Sequence, residues 1–316
     1  MTLAISPPIL GSVTKYRVKR AVAVTAFFAA RNYVRFFPFR WGKLRLDELC
    51  RDYINFYDVM QVVRTTEGAE ILCSSRDLIQ SAIMYFGMWD PHITRYLRER
   101  LQPGDVLIDV GANIGYYTLV GSRLVGPTGK VVAVEASPRT FRALGENIRR
   151  NAAQNVRAIN AAASRHRGTV QVFAGTPDNI GGTSIMPRHG AAEATVDAFP
   201  LADLLTREEL GAASVIKIDV EGAEADVLRG ILDSAHLLGK NTEIIVEVTP
   251  DWLSGADNSA ETLLDEFRAL GFNTYELRTM SRAEYLTEPA RTVRRRIDTP
   301  ITEQTDVLLS RRPNLA

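Results

Sequence analysis

The hydrophobic pattern changes period along the chain, and each change marks an element. The first apolar run covers positions 21–30. Lys15, Arg17, Lys19 and Arg20 precede it, and Arg31, Arg35 and Arg40 follow, mixed with Phe36, Phe37, Phe39 and Trp41. A run of ten residues, nine of them apolar, is too short to cross a bilayer. Basic and aromatic residues stand where a signal peptide would carry its cleavage site. The segment therefore reads as a helix, with two roles open to it: packing on the rest of the chain, or lying on an anionic membrane surface.

Positions 59–64 and 70–73 read as two short strands around Thr65-Thr66-Glu67-Gly68. Asp77 is placed to cap a helix running to Met84, positions 85–91 break it, and 91–101 form the next helix. Trp89 and Asp90, at that break, are candidates for the wall of a binding site. From position 106 the pattern alternates between short β-branched runs and amphipathic segments. Strands are predicted at 106–110, 130–134, 156–163, 215–221 and 243–248, with a hairpin-like strand at 168–174. Helices are predicted at 116–125, from Ser137-Pro138 to about 152, from 222 to about 231, and at 260–270. Positions 272–277 and 306–309 read as a terminal strand pair. Strands alternating with helices predict an α/β fold with a parallel, doubly wound sheet. Three regions result: a basic amphipathic helical segment at 1–43, an α+β lead-in or cap at 44–102, and the main domain at 103–316.

Composition narrows the function classes. The chain has 316 residues, 46% of them hydrophobic, enough for a large core. Its net charge of +1 with 24% charged residues gives no basic field for nucleic acid. The cysteines, Cys50 and Cys73, form no C-x-x-C pair, and the histidines at 92, 166, 189 and 236 have no metal-ligand spacing. Neither a disulfide framework nor a metal site is expected, and a reducing, cytoplasmic compartment is the default. Peripheral attachment at the inner face of the membrane would be the work of the N-terminal helix. The run Arg291–Arg296 reads as a solvated charge cluster.

Chemistry concentrates in two stretches. Asp109-Val110-Gly111-Ala112-Asn113-Ile114-Gly115 joins a buried strand to a helix through two glycines. A cofactor can approach such a turn closely, and N–H groups at a helix start favour an anionic group. The spacing departs from G-x-G-x-x-G, which disfavours an NAD-dependent oxidoreductase. An acid before the first glycine suits S-adenosyl-L-methionine (SAM), whose amino acid end carries an ammonium and a carboxylate. Glu135 closes the second strand, where a carboxylate can hold a ribose diol. The second stretch is Lys217-Ile218-Asp219-Val220-Glu221-Gly222-Ala223-Glu224. Its first three ionisable side chains fall at alternate positions and share one face if the strand continues that far. Glu247 ends the next strand. A polar, glycine-rich loop at 176–184, with Asn179 and Ser184, reads as a lid or substrate loop. A metal bridged by Asp219 and Glu247 stays open as an alternative, resting on two carboxylates alone.

Together these two motifs resemble the FkbM-type family of class I SAM-dependent methyltransferases. Pro103-Gly104, Glu135 followed by Ser137-Pro138, Asn147, Asn151 and Glu247 fit the resemblance, which covers about residues 80–310. It implies a Rossmann-like sheet of seven strands with a reversed last strand. It also implies methyl transfer to a hydroxyl of a sugar, glycolipid or polyketide-type acceptor. Asp109, Gly111, Asn113 and Gly115 would cradle the methionine end of SAM, Glu135 the ribose, and Ala162, Ala163 and Ser164 the adenine. Lys217, Asp219, Glu221 and Glu224 would form the floor where acceptor and methyl meet, with Asp219 and Glu221 as candidate bases and Lys217 as their partner. Asn179, Ser184 and Glu247 would contact the acceptor. The competing reading is a noncatalytic SAM-binding or membrane-attached partner protein.

Overall fold

The central strands of the main domain, at Val106–Val110, Lys130–Glu135, Ala213–Ile218 and Glu243–Val248, are buried on both faces, and this builds the fold as a layered sandwich. The computed structural model describes residues 10–36, 42–43, 45–46, 59–173, 192–249, 259–278 and 294–312. The loop at 176–184, with Asn179 and Ser184, lies outside the described residues.

Helix α1 (Leu10–Phe36) is followed by the hairpin β1 (Met60–Arg64) and β2 (Glu70–Ser74), then α2 (Leu78–Phe86) and α3 (Pro91–Arg100). The main domain runs β3 (Val106–Val110), α4 (Tyr116–Val125), β4 (Lys130–Glu135), α5 (Pro138–Arg150), β5 (Val156–Asn160), β6 (Ala162–Ala163), β7 (Gly168–Phe173) and β8 (Ala192–Phe199). It continues through α6 (Leu201–Leu204), α7 (Arg207–Ala212), β9 (Ala213–Ile218), α8 (Glu224–Asp233), β10 (Glu243–Val248), α9 (Ala260–Ala269), β11 (Asn273–Leu277), β12 (Arg294–Arg296) and β13 (Thr305–Ser310).

The main sheet has the order β12-β11-β13-β10-β9-β3-β4-β5. Its five strands from β10 to β5 are parallel, and β13 inserts antiparallel between β10 and β11. This is the expected seven-stranded arrangement plus one short edge strand. Arg294–Arg296, read as a solvated cluster, pairs antiparallel with β11. Arg294 sits over the Tyr96 ring and pairs with Glu99 at 2.8 Å. The predicted strand at 156–163 splits at Ala161, and its last two residues join a separate small sheet with β8 and β7. That sheet covers the hairpin-like strand foreseen at 168–174, whose partner β8 was not foreseen.

Period-2 alternation distributes the core. Leu107, Val131, Val215 and Ile245 pack towards α4 and the lead-in, while Ile108, Val132, Ile216 and Ile244 pack towards α8 and α9. The caps are as the sequence suggests: Asp77 accepts from Gln80 N–H, and Ser137 from Thr140 N–H with Pro138 at the first helical position. In α1, Ala23, Phe27, Ala30 and Val34 form one buried stripe, and Phe27 meets Tyr85 of α2 with ring centroids 5.7 Å apart. The packed-helix role thus holds for the second half of α1, whereas positions 17–22 are all exposed.

The lead-in is fastened to the main domain by α5. Asn151 pairs with the backbone of Glu70 through both ends of its amide, at 2.8 and 2.6 Å. Asn147 accepts from Leu72 N–H at 3.0 Å and donates to Ile114 C=O at 2.9 Å. One helix face therefore acts as a neighbour for β2 and steadies the glycine turn after β3.

Candidate active site

Strand order reverses between β3 and β9, and in open α/β sheets the crevice at that switch point is where ligands bind. The two informative stretches meet there. Asp219 N–H donates to Val110 C=O at 3.0 Å, so the end of β9 is pinned to the end of β3. A cleft of about 700 Å³, part of it open to solvent, runs along this seam. Gly111, Asn113, Glu135, Ala163, Asp219 and Glu221 all line it. With Ala162, seven of the residues selected from sequence thus converge on one cavity.

The glycine turn works differently from expectation. Gly111 and Ala112 N–H both donate to Val134 C=O, Asn113 N–H to the Glu135 carboxylate, Ile114 N–H to the Asn113 side-chain oxygen, and Gly115 N–H to Ala112 C=O. Buried backbone donors must be paired, and this tight turn pairs its own. Its glycines permit the turn itself: Gly111 and Gly115 hold φ of +80° and +95°, and a Cβ would meet the Asp219 carbonyl at Gly111 and the Leu144 side chain at Gly115, so Gly111 lines the cleft and Gly115 does not. Asp109 does not reach the cleft. It is fully buried behind the turn and accepts from the Thr118 hydroxyl at 2.6 Å. Odd positions of β3 face α4, which puts Asp109 beside its register partner Lys217 rather than beside a ligand.

Glu135 is 7% exposed. One carboxylate oxygen accepts from Asn113 N–H at 2.8 Å and the other from Ser137 N–H at 2.9 Å. Burial pushes its pKa up to about 7, against the two N–H bonds that favour the charge. Each oxygen keeps a lone pair for a ligand hydroxyl.

Lys217, Asp219 and Glu221 do not share one face. β9 ends at Ile218, and the chain leaves the sheet through Glu221 at φ +52° and Gly222 at φ +105°. Glu224 drives the departure. Its buried carboxylate captures Val220 N–H at 3.2 Å and Gly222 N–H at 2.9 Å. Glu224 therefore braces this loop instead of contacting an acceptor. Lys217 is 2% exposed and Asp219 33%, and Nζ lies 3.0 Å from Asp219 Oδ2. Burial opposes the Lys217 charge, but Asp219 and Asp109 outweigh it, so its pKa is raised. Glu247 accepts from Gln304, and Asp306 is its cross-strand partner. Burial, then the charges of Asp219, Asp306 and Glu221, push Glu247 up to about 8. Among the described residues no group of three or more His, Cys, Asp or Glu side chains is arranged to hold a metal.

The residues present fit SAM. Ile79, Val134, Ala161, Ala162 and Val172 offer an apolar slot suited to an adenine, Glu135 offers a ribose acceptor, and Asp219 with Glu221 puts negative charge where a sulfonium and an ammonium would lie. Sequence reasoning underrated Asp90. Its carboxylate accepts from the Tyr117 hydroxyl at 2.9 Å. The signal was an Asp immediately before Pro91 at a helix start.

The chain is similar to known methyltransferases. Residues 109–274, more than half of the chain, match the family described as the methyltransferase FkbM domain. The hexuronic acid methyltransferase AglP of Haloferax volcanii is 31% identical over 156 residues, 49% of this chain and 61% of that protein. The 31-O-demethyl-FK506 methyltransferase FkbM of Streptomyces tacrolimicus is 28% identical over 207 residues, 56% of this chain and 78% of that protein. The crystal structure of an FkbM methyltransferase from Methylobacillus flagellatus aligns with a TM-score of 0.38 at 15% identity, covering 90% of this chain and 58% of that one. The chain belongs to the FkbM family of methyltransferases, enzymes whose cofactor is SAM.

Proposed function

We propose that this chain methylates a hydroxyl oxygen on a neutral, sugar-type acceptor, with Asp219 as the proton acceptor. The observation that carries this reading is the position of Asp219. Its backbone is fixed against the cofactor turn, and its carboxylate stands at the mouth of the cleft on a fully buried ammonium. Bound in the cleft, SAM supplies a methyl group on an activated sulfonium. The work left to the protein is to place the acceptor and take its proton. Asp219 accepts the hydroxyl proton as the oxygen gains the methyl group, Lys217 holds that carboxylate in place, and Glu221 and Glu247 accept hydrogen bonds from neighbouring hydroxyls. The FK506 relative is named for an O-linked methyl group, which supports an oxygen acceptor, and AglP is named for a hexuronic acid, which supports a sugar-type one without choosing between its hydroxyl and carboxyl groups. The density of carboxyl groups at the mouth favours a neutral polyol over an anionic one.

The test is transfer of a labelled methyl group from SAM into cell extract separated into lipid and aqueous fractions, followed by purification of the labelled product. Asp219→Asn is expected to lower turnover at least about tenfold while SAM affinity stays within severalfold. Unchanged turnover would remove Asp219 as the base. SAM binding without label in either fraction would favour the noncatalytic reading.

The exposed first half of α1 supports a peripheral contact with anionic lipid. No described helix is long and apolar enough to cross a membrane. Val18 and Val22 are 58% and 60% exposed, in company with Arg17, Lys19 and Arg20. Salt-sensitive sedimentation with anionic liposomes is expected, and should vanish on charge reversal at these three basic positions. Equal sedimentation of both proteins would sink this assignment.

A further inference from the structure

Asp90 stands where an N-cap residue of α3 should be, and it does not cap. An Asp at this position ordinarily accepts from an N–H of the first helical turn. Here the side chain makes no capping bond, and the backbone holds φ +37°, ψ +78°, a left-handed conformation unusual for a residue other than glycine. The carboxylate instead turns inward and accepts from Tyr117 Oη–H at 2.9 Å. Strain held at such a position suggests a role beyond the helix end.

Tyr117 lies in the first turn of the helix that follows the glycine turn, and its ring has a second partner. Lys217 Nζ lies 4.4 Å from the ring centroid. That ammonium is the group that holds Asp219 at 3.0 Å. Three contacts therefore run in series from the lead-in to the proposed base: carboxylate to phenol, phenol ring to ammonium, ammonium to carboxylate. A parallel tether stands beside them. The Tyr116 hydroxyl pairs with Thr94 Oγ1 at 3.0 Å, and Thr94 donates to Trp89 C=O at 2.8 Å. The start of α4 is thus held to the start of α3 at two adjacent tyrosines.

We propose that Asp90 is a positioning residue for methyl transfer: through Tyr117 it fixes the Lys217 ammonium, and through Lys217 the carboxylate of Asp219. The catalytic part of this inference rests on the function proposed above. The chain of contacts does not. A ring held only by packing can rotate about its side-chain bonds, whereas a phenol hydroxyl anchored on the lead-in fixes the face presented to Lys217. The same arrangement makes placement of Asp219 depend on the lead-in being docked. The other groups acting on Asp90 are Asp306, His92 and Asp219. Burial, then Asp306, and more weakly Asp219, raise it, His92 and Tyr117 lower it, and it lies at about 7.

Lys217 is one of only six lysines in the chain, so its side chain can be followed in protein labelled with lysine carrying 13C at the ε position. Its signal is identified by a cross-relaxation contact to a tyrosine ring and should be displaced by the ring current of Tyr117. Asp90→Ala and Tyr117→Phe are expected to move this signal towards the free-lysine position. Asp90→Asn keeps an oxygen that accepts from the phenol, and should leave the signal in place. On the labelled-methyl assay, Asp90→Ala should lower kcat about tenfold with the KM for SAM within twofold, and Asp90→Asn should restore most of it. An unmoved Lys217 signal in Asp90→Ala overturns the proposal. So does loss of turnover in Asp90→Asn with the signal retained, because Asp90 would then act through its own charge. If the signal responds as expected while the unaltered protein transfers no methyl group, the function proposed above fails and the positioning chain stands.

Discussion

The carbonyl oxygen of Asp219 and the Cα of Gly111 are in such close contact that a methyl group on Gly111 would sit 1.7 Å from that oxygen. The first glycine of the motif is therefore required by the neighbouring strand end as much as by a ligand. Gly111→Ala adds a left-handed strain at φ +80° to this collision. It is expected to cost at least about 2 kcal/mol of stability and to weaken SAM binding by misplacing both the turn and Asp219. Urea unfolding and calorimetric titration with SAM check both effects. Gly145, inside α5 with nothing near its missing Cβ, is the control: Gly145→Ala should stabilise by about 0.5–1 kcal/mol.

Much of this site was legible in the sequence because its elements carry local signals. The β-branched run 106–110, the glycines at 111 and 115, Ser137-Pro138 and the acid at 135 each have a short-range physical reason to stand where they do. What escaped depends on contacts between distant segments. The bend after Ile218 is set by Glu224 reaching back to Val220 and Gly222, and alternation along β9 gives no warning of it. Asp109 looked like a ligand because it precedes a glycine turn, but the parity of its position on β3 sends it towards α4 and Lys217. The edge strand Arg294–Arg296 is defined by its partner β11, since its own residues read as solvated.

Asn147 offers a test of how the lead-in is held. Its amide serves Leu72 N–H on β2 and Ile114 C=O in the glycine turn, two backbone groups that would lose their partner together. Asn147→Ala is expected to cost about 1–3 kcal/mol. Amide exchange should accelerate first in β1, β2 and the 111–115 turn. Uniform acceleration across the sheet would show that the clamp is not local.

Four acids around the cleft share a direction. Glu135, Glu224 and Asp90 are pushed up to about 7 and Glu247 to about 8, each chiefly by burial. The folded protein then binds more protons than the unfolded chain between the ordinary carboxyl range and these values. Stability is therefore greatest in mild acid and falls as pH rises towards 8. The protein without SAM should have a lower Tm at pH 8 than at pH 5.5, and Glu135→Gln should reduce the difference. SAM affinity is expected to move the opposite way. A ribose diol donates to the ionised carboxylate, so the Kd should rise about tenfold from pH 8 to pH 6 and lose this dependence in Glu135→Gln. A Kd equally pH-dependent in that variant would place the titrating group elsewhere.

Lys217 should be the most sensitive single position in the main domain. It is buried among Asp219, its register partner Asp109 and the Tyr117 ring. Burial raises the pKa of Asp109 while Lys217 lowers it, so the lysine is what keeps that fully buried carboxylate tolerable. Lys217→Met preserves much of the volume and removes the charge, leaving two carboxylates with no cation between them. The expected cost is about 3–5 kcal/mol, because removing one partner of a buried pair exposes the penalty of the other. The direction of the pH effect separates this from a packing loss. In Lys217→Met the stranded carboxylates favour protonation, so the deficit against the unaltered protein should shrink as pH falls from 7 towards 4. A loss of packing alone would stay constant. The favourable contribution of Lys217 itself is complete below pH 10.5 and disappears only as pH rises above its raised pKa. Urea unfolding of both proteins at pH 4.5, 7 and 9 decides between charge and packing, and a pH-independent deficit would identify Lys217 as a space-filling residue.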